Sequence, residues 1–558
     1  MVTGPVPPQP PVLGPSAHVD SFCRDNLPPA DLWPVLTVDL PELRYPDRLN
    51  CAVELLDKAL DEGFGDKAAI LYGGEVWTYA VVAATANRIA RVLVEDLGVV
   101  PGNRVLLRAG NTPMLFACWF AVMKAGAVAV TTMPMLRAME LKPICAKARI
   151  ALALCDATLA EEVELARPDL EIPLRLVTFG TPKAELEGLM AGKGEDFTAV
   201  DTSADDVCLL AFTSGTTGQP KACMHFHRDV MAMGDTFARH ILKPRPDDVF
   251  IGTPPIAFTF GLGASLAFPF RFRATVALPP AASPPALIEA IGRHRATLVF
   301  TSPTGYRAML GLLDRHDISS LRACISAGEA LPQPTSDAWF AATGHRIIDG
   351  IGSTEMIHIF ISAAGDAIRP GATGLPVPGY TATLLDEEGQ PMDGPGIGRL
   401  AVRGPTGCRY LSDSRQTGYV VNGWNVTGDT YRRDAEGYFW FQARADDMIV
   451  SSGYNIAGPE VEQALLAHPA VAECAVVGSP DRERGMLVKA FIVPTDPAGA
   501  DEALVKRLQD HVKATIAPYK YPRAIEFVDS LPKTQTGKVQ RFVLRRLEEE
   551  RAARMSAA

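Results

Sequence analysis

Short β-branched runs and longer amphipathic stretches take turns along this chain. RVLLRAG (104–110), TPMLFACWFAVMKAG (112–126) and AVAVTTMP (127–134) read as strand, helix and strand, the rhythm of a parallel sheet. ATLVFTSP (296–303), TGYRAMLGLLDRH (304–316) and LRACISAG (321–328) repeat it, which predicts a second sheeted lobe between about residues 200 and 345. From Gly374 the pattern changes to short strands joined by Gly-rich turns, as in TATLLDEEGQPMDGPGIGRLAVRG, and predicts a small barrel-like lobe. Beyond a boundary near Asp446, GPEVEQALLAHPAVAECAVVG, GMLVKAFIVP and DEALVKRLQDHVKATI predict a compact terminal α+β domain of about 110 residues. The fold class expected is α/β. A tail covers residues 1–30, a large N-terminal domain of two sheeted lobes and a barrel-like lobe covers 31–445, and a small mobile domain covers 446–558.

One apolar run, Val249 to Phe270, carries no charge over 22 residues and is long enough to cross a bilayer. Pro254, Pro255 and Pro269, with Gly252, Gly261 and Gly263, would break a spanning helix repeatedly, so a buried strand, loop and short helix are expected instead. The 558 residues are 47% hydrophobic and 21% charged, an ordinary globular balance. Lys and Arg number 54 against 64 Asp and Glu, a net charge of −10 with no long block of either sign, which argues against nucleic-acid and membrane partners. The ten cysteines include no C-x-x-C pair, so neither a zinc site nor a disulfide framework is read from their spacing. The opening MVTGPVPPQPPVLGP has no Lys or Arg before Arg24 and no apolar h-region, so a proline-rich tail and a cytoplasmic protein are expected.

The strongest local motif is Thr213-Ser214-Gly215-Thr216-Thr217-Gly218-Gln219-Pro220-Lys221, directly after the apolar strand VCLLAF. Glycines let backbone N–H groups converge on an anion, hydroxyls donate, and Lys221 adds a positive charge, so the loop reads as a phosphate binder, with a flexible Gly/Thr-rich surface turn the alternative. The G-x-x-x-x-G-K-[ST] spacing of a P-loop is absent.

With this loop the chain resembles the adenylate-forming superfamily of acyl-CoA synthetases, adenylation domains and luciferases. Further segments extend the likeness in order: Asp349-Gly350-Ile351-Gly352-Ser353-Thr354-Glu355, Thr427-Gly428-Asp429, Arg444-Ala445-Asp446-Asp447, and Pro532-Lys533-Thr534-Gln535-Thr536-Gly537-Lys538. The resemblance implies that Lys538 is the mobile catalytic lysine, that Thr354 donates to the α-phosphate, and that Glu355 holds Mg²⁺, a hard cation suited to carboxylate and phosphate oxygens. It also implies that Asp349 faces the adenine amino group, that Asp429 and Arg444 hold the ribose, and that Gly328, Glu329 and Ala330 belong to the nucleotide site. A helix-cap or turn role is the alternative for Asp349. Asp446 matches the hinge about which the terminal domain of such enzymes turns, and Ser452 and Gly453 match the lining of a pantetheine tunnel. Two departures stand out: Ala443 replaces the usual Gly before the hinge arginine, and Val450 replaces a Lys in the following strand.

By the same resemblance the acid lies between Phe258, Phe260 and Gly261 on one side and Ala327, Gly352, His358 and Ile359 on the other. No acidic residue occurs in Val249 to Phe270, so a pairing carboxylate for an α-ammonium group is missing there and α-amino acids are demoted. The run Gly352 to Phe360 looks like the benzoate and 2-aminobenzoate branch of CoA ligases. Phe258 is read as a stacking wall and His358 as a contact for an ortho substituent, with core packing the alternative for each. The expectation is an ATP-dependent ligase for a small aryl acid, using ATP, Mg²⁺ and coenzyme A, with a homodimer left open. Medium-chain or alicyclic acids, or a carrier-protein thiol as acceptor, are the alternatives.

Overall fold

The computed structural model describes residues 13–214, 220–444, 447–451, 454–481, 485–516, 520–534 and 537–557. The α/β class expected from the strand and helix rhythm is what the chain adopts, with its strands in four sheets. The first is six-stranded, in the order Arg175–Phe179, Leu152–Asp156, Arg104–Arg108, Val128–Thr132, Val207–Ser214, Pro220–Phe226. All its neighbours are parallel except the last pair. The second has nine strands: six parallel ones (Ile347–Gly352, Ala323–Ala327, Leu298–Thr301, Val249–Gly252, Thr275–Leu278, Ala68–Tyr72) flanked by antiparallel edges.

The sheets do not follow the chain as the rhythm suggested. The strands Ala68–Tyr72 and Glu75–Thr78 join the second sheet through pairing with Thr275–Leu278, while Val207–Ser214 and Pro220–Phe226 complete the first. Periodicity reports that a strand is buried, not which neighbour buries it. The largest core cluster spans both sheets, with Val105 and Leu107 from one and Ile70, Phe250 and Ile325 from the other. Between strands of the first sheet runs the helix Pro113–Lys124, started by Pro113 and by Thr112, whose side chain accepts from the Leu115 N–H. Eleven of its twelve residues are buried, and each large apolar side chain so buried contributes roughly 1.5–3 kcal/mol.

Thr381–Leu385, Gly396–Arg403, Val420–Val421, Trp424–Arg433 and Phe439–Arg444 form the antiparallel third sheet. The fourth, built on Val471–Asp481 and Gly485–Pro494, packs against Gly458–Leu466 and Glu502–Thr515. The tail expected over residues 1–30 is not free from residue 13 onward. Cys23 is fully buried, the Asp20 carboxylate pairs with Arg104, and the Ala17 N–H donates to Asp206 at 2.9 Å. Local proline content could not reveal these partners, which lie far along the chain. Val249 to Phe270 becomes a strand and a buried helical stretch, and among the described residues no helix is long and apolar enough to cross a membrane.

Candidate functional site

The ends of two sheets, the antiparallel third sheet and the C-terminal domain meet around Lys221, Glu355, Gly328, Asp429 and Lys538. Thr213 and Lys221 face each other across the hairpin Val207–Ser214 and Pro220–Phe226, which flanks the motif expected to bind phosphate. Gly215, Thr216 and Thr217 of that motif, together with the side chain of Ser214, lie outside the described residues, as do Asp446, Ser452 and Gly453. Lys221 Nζ donates to the Tyr410 hydroxyl at 2.7 Å and lies 3.3 Å from Glu355 Oε1. Tyr410 in turn donates to that same oxygen at 2.5 Å. Burial, reinforced by the Glu355 charge, pushes the Tyr410 phenol far up, so it stays a donor.

Ala327 and Gly350 are register partners of adjacent parallel strands, as are Ser326 and Asp349, so both predicted nucleotide segments emerge side by side at the strand C-termini. Burial raises the Asp349 carboxyl to about 7, against smaller lowering contributions from the Ser326 hydroxyl and the Gly350 N–H. Its Oδ1 is buried without a hydrogen-bond partner among the described residues, so the site holds an acceptor with an open valence. Gly352 begins a tight return: a Cβ there would sit 2.6 Å from the His358 carbonyl oxygen. Within this turn Ile357 holds φ at +65°, a conformation unfavourable for a β-branched side chain and a feature that gathers at functional sites. Ser353 Oγ and the Tyr419 hydroxyl approach to 3.2 Å.

Asp429 and Arg444 are paired residues of the third sheet, with Asp429 Oδ1 and Arg444 Nη1 3.4 Å apart. From the C-terminal domain, Lys538 reaches Gly328: a Cβ on that glycine would stand 3.3 Å from Lys538 Cε and 3.7 Å from Nζ. Gly328 has φ at +93° as well, so both backbone and space favour glycine. Desolvation lowers the Lys538 pKa; Glu329 and Asp429 act against this, and Arg444 with it. Glu329 accepts from the Thr304 hydroxyl at 3.0 Å and is raised by burial, and Ala330 follows it at the exposed rim. A second interdomain tie is Arg307 Nη2 donating to the Val471 carbonyl at 2.9 Å.

Of the residues expected around the acid, Phe260, Gly352, His358 and Ile359 come into contact with one another. His358 is caged by Phe237, Phe260 and Phe268, with ring centroids at 5.4, 5.8 and 4.7 Å. Ile359 packs on Gly350, where a Cβ would meet its Cγ2 at 2.7 Å, and Gly261 lies against the Pro255 carbonyl. Among the described residues neither ring nitrogen of His358 makes a full hydrogen bond; burial pushes its pKa down to about 3, against a smaller raising contribution from the Phe260 backbone, so the imidazole is neutral. Phe258 is half-buried and, among the described residues, contacts no other ring, unlike Phe260.

Sequence reasoning missed Tyr410, Tyr419 and His225. His225, four residues after Lys221, brings Nε2 to 2.8 Å from the Thr354 carbonyl. Nothing in the spacing announced the tyrosines, which come from the third sheet's connections. Away from this site, Cys51, Cys208 and His227 cluster with ligating atoms within 4.8 Å of one another, drawn from three separated segments. The His227 Nδ1 there already accepts the Cys51 backbone N–H at 3.1 Å.

A family model described as AMP-binding enzyme matches residues 57–410, and one described as AMP-binding enzyme C-terminal domain matches 460–538. The benzoate–CoA ligase of Thauera aromatica is 38% identical over 515 residues, spanning 90% of this chain and 97% of its own. The 3-hydroxybenzoate–CoA ligase of Aromatoleum sp. (strain CIB) is 34% identical over 89% of this chain and 97% of its own. Among solved structures, the anthranilate CoA ligase AuaEII in complex with anthranoyl-AMP superposes with a TM-score of 0.88 at 35% identity, covering 92% of this chain and 100% of its own. A benzoate CoA ligase from Burkholderia xenovorans LB400 gives 0.81 at 32% identity, covering 89% and 100%.

Proposed function

Because the chain belongs to the AMP-binding enzyme family, in its benzoate and aminobenzoate CoA-ligase branch, we propose that it couples a small aryl acid, benzoate or 2-aminobenzoate, to coenzyme A using ATP. The observation that supports the aryl assignment is the likeness to benzoate and anthranilate CoA ligases, joined by the aromatic cluster of Phe237, Phe260 and Phe268 packed around His358 beside the strand that leads to Thr354 and Glu355. A flat ring fits flat walls, and aromatic contacts add about 0.5–1.5 kcal/mol beyond burial. His358, neutral and with no full hydrogen bond among the described residues, is suited to an ortho amino group, since an unsatisfied buried polar atom costs about 1–3 kcal/mol.

In the first half-reaction a carboxylate oxygen attacks the α-phosphorus in line, the bond to the bridging oxygen breaks, and pyrophosphate leaves with that electron pair. Both reactants are anions, so the protein's work is charge neutralisation and positioning. Lys221 and the loop around it receive the outer phosphates, Thr354 the α-phosphate, Asp349 the adenine amino group, and Asp429 with Arg444 the ribose. Lys538 brings its ammonium between the reacting anions. Glu355 would hold Mg²⁺: its Oε2 takes no hydrogen bond among the described residues, a hard oxygen donor at the phosphate end of the site. Such an ion supplies neutralisation of the triphosphate. In the second half-reaction the thiol of coenzyme A attacks the acyl carbonyl and AMP departs; Asp446 as hinge and Ser452 with Gly453 as thiol-arm lining complete the proposal.

The test is mass spectrometry of acyl-CoA products from purified protein with Mg-ATP, CoA and a panel of benzoate, 2-aminobenzoate, hydroxybenzoates, cyclohexanecarboxylate, hexanoate and octanoate. Dominant aryl-CoA is expected. Dominant alkyl- or cyclohexyl-CoA would make the phenylalanines mere core, and acyl-AMP without thioester would point to a carrier-protein acceptor.

A further inference from the structure

Thr354 and Glu355 are backed by a run of buried side chains that includes none of the residues assigned to nucleotide or acid. His225 Nε2 faces the Thr354 carbonyl at 2.8 Å; a carbonyl only accepts, so that nitrogen carries the proton. The other ring nitrogen, Nδ1, points to Asp229 Oδ2 at 3.6 Å. Asp229 accepts the Phe226 N–H at 3.0 Å and pairs with the Arg409 guanidinium. Arg409 is followed directly by Tyr410, whose hydroxyl donates to Glu355 at 2.5 Å. The path thus closes on itself: Thr354, His225, Asp229, Arg409, Tyr410, Glu355.

All four supporting residues are buried, at 0% exposure for His225, Asp229 and Arg409 and 1% for Tyr410. Burial would raise the Asp229 carboxyl, but Arg409 and His225 hold it well below the usual carboxylate range. As a stabilising device the ring is poor. Among the described residues His225 Nδ1, Asp229 Oδ1 and Arg409 Nε and Nη1 lack hydrogen-bond partners, and a buried ion pair is often no better for stability than apolar residues of the same volume. What it does well is fix geometry, since it ties the strand Pro220–Phe226, which carries the phosphate-loop lysine, to the turn carrying Thr354 and Glu355. We infer that His225 is a positioning residue for nucleotide binding, holding Thr354 and Glu355 toward the phosphates by its bond to the Thr354 carbonyl and by the Asp229–Arg409–Tyr410 path behind it. The inference rests on the ligase reading.

The experiment compares the wild-type protein with His225→Ala, His225→Gln and Tyr410→Phe. It measures acid-dependent ATP–pyrophosphate exchange, Mg-ATP affinity by calorimetry, and thermal melting. A glutamine amide can place an N–H near the histidine Nε2 position. His225→Ala is expected to weaken Mg-ATP binding about tenfold and to slow exchange about 10- to 100-fold, with KM for the acid unchanged, and His225→Gln to recover most of both. Tyr410→Phe removes the bond to Glu355 at the other end and is expected to give the same split, so it carries the test if His225→Ala does not fold. Unchanged Mg-ATP affinity in a folded His225→Ala or Tyr410→Phe protein would overturn the inference. So would a parallel rise in KM for the acid, or a glutamine variant no better than alanine. A wild-type protein that binds Mg-ATP but exchanges pyrophosphate with no acid would sink the ligase reading instead, and the calorimetric comparison would still judge His225.

Discussion

His358 and Asp349 show how burial turns two ordinary polar residues into tools. The imidazole, held neutral inside a phenylalanine cage, can donate from one nitrogen and accept at the other. His358→Ala should shift the ratio of kcat/KM between 2-aminobenzoate and benzoate by about 5- to 100-fold, the range of one buried hydrogen bond; an unchanged ratio from steady-state kinetics would remove His358 from the acid pocket. Asp349, raised to about 7, is protonated in much of the free enzyme below neutrality. If its carboxylate receives the adenine amino group, nucleotide binding favours the ionised form, so KM for ATP should fall as pH rises from 6 to 8. In Asp349→Asn the profile should lose that component, and kinetics of both proteins across the range decide it. The identity of both residues was legible in the motif; their protonation was not, because desolvation comes from residues distant in sequence.

At the scale of elements, the acid pocket depends on where chain segments can touch. The helical stretch Thr259–Leu262, Gly263–Ala267 and Phe268–Arg271 opens into a wider π turn at Gly263, and a Cβ there would fall 2.5 Å from His358 Nε2. Gly263→Ala should therefore displace the imidazole, lowering kcat/KM for 2-aminobenzoate at least tenfold and destabilising the fold by about 1–3 kcal/mol through overpacking, as read by kinetics and denaturant melts. The sequence showed this glycine only as a helix breaker in an apolar run. The hairpin around Lys221 was easier, because hydroxyls, glycines and a lysine after an apolar strand describe an anion site without reference to any neighbour. By contrast, the cluster of Cys51, Cys208 and His227 left no trace in cysteine spacing, since three segments supply one residue each.

Across the whole molecule, Lys538 crosses from one domain to the other to meet Gly328, and Glu329, Asp429 and Arg444 surround it with charge. Lys538→Ala should slow acyl-AMP formation by 100-fold or more while leaving the melting temperature within about 2 °C, because only the end of the side chain is desolvated, beside Gly328, while the rest stays exposed and carries little packing. Global stability should also carry the mark of the buried histidine. Its folded pKa of about 3 lies below the unfolded value near 6.5, so the unfolded chain binds the extra proton between them and stability falls as pH drops through that window. His358→Gln should make this acid limb shallower by an amount on the order of a few kcal/mol, measured by denaturant unfolding from pH 6.5 down to 4. By itself the sequence determined the α/β class, the order of the motifs and the residue types that chemistry on ATP requires, because periodicity and local motif chemistry are properties of contiguous residues. Only the tertiary structure decided which strands share a sheet, that residues 13–30 dock on the first lobe, and that Tyr410 and His225 brace Glu355 and Thr354. Those outcomes turn on contacts between segments up to 386 residues apart, where burial and charge are set by neighbours that local pattern cannot name.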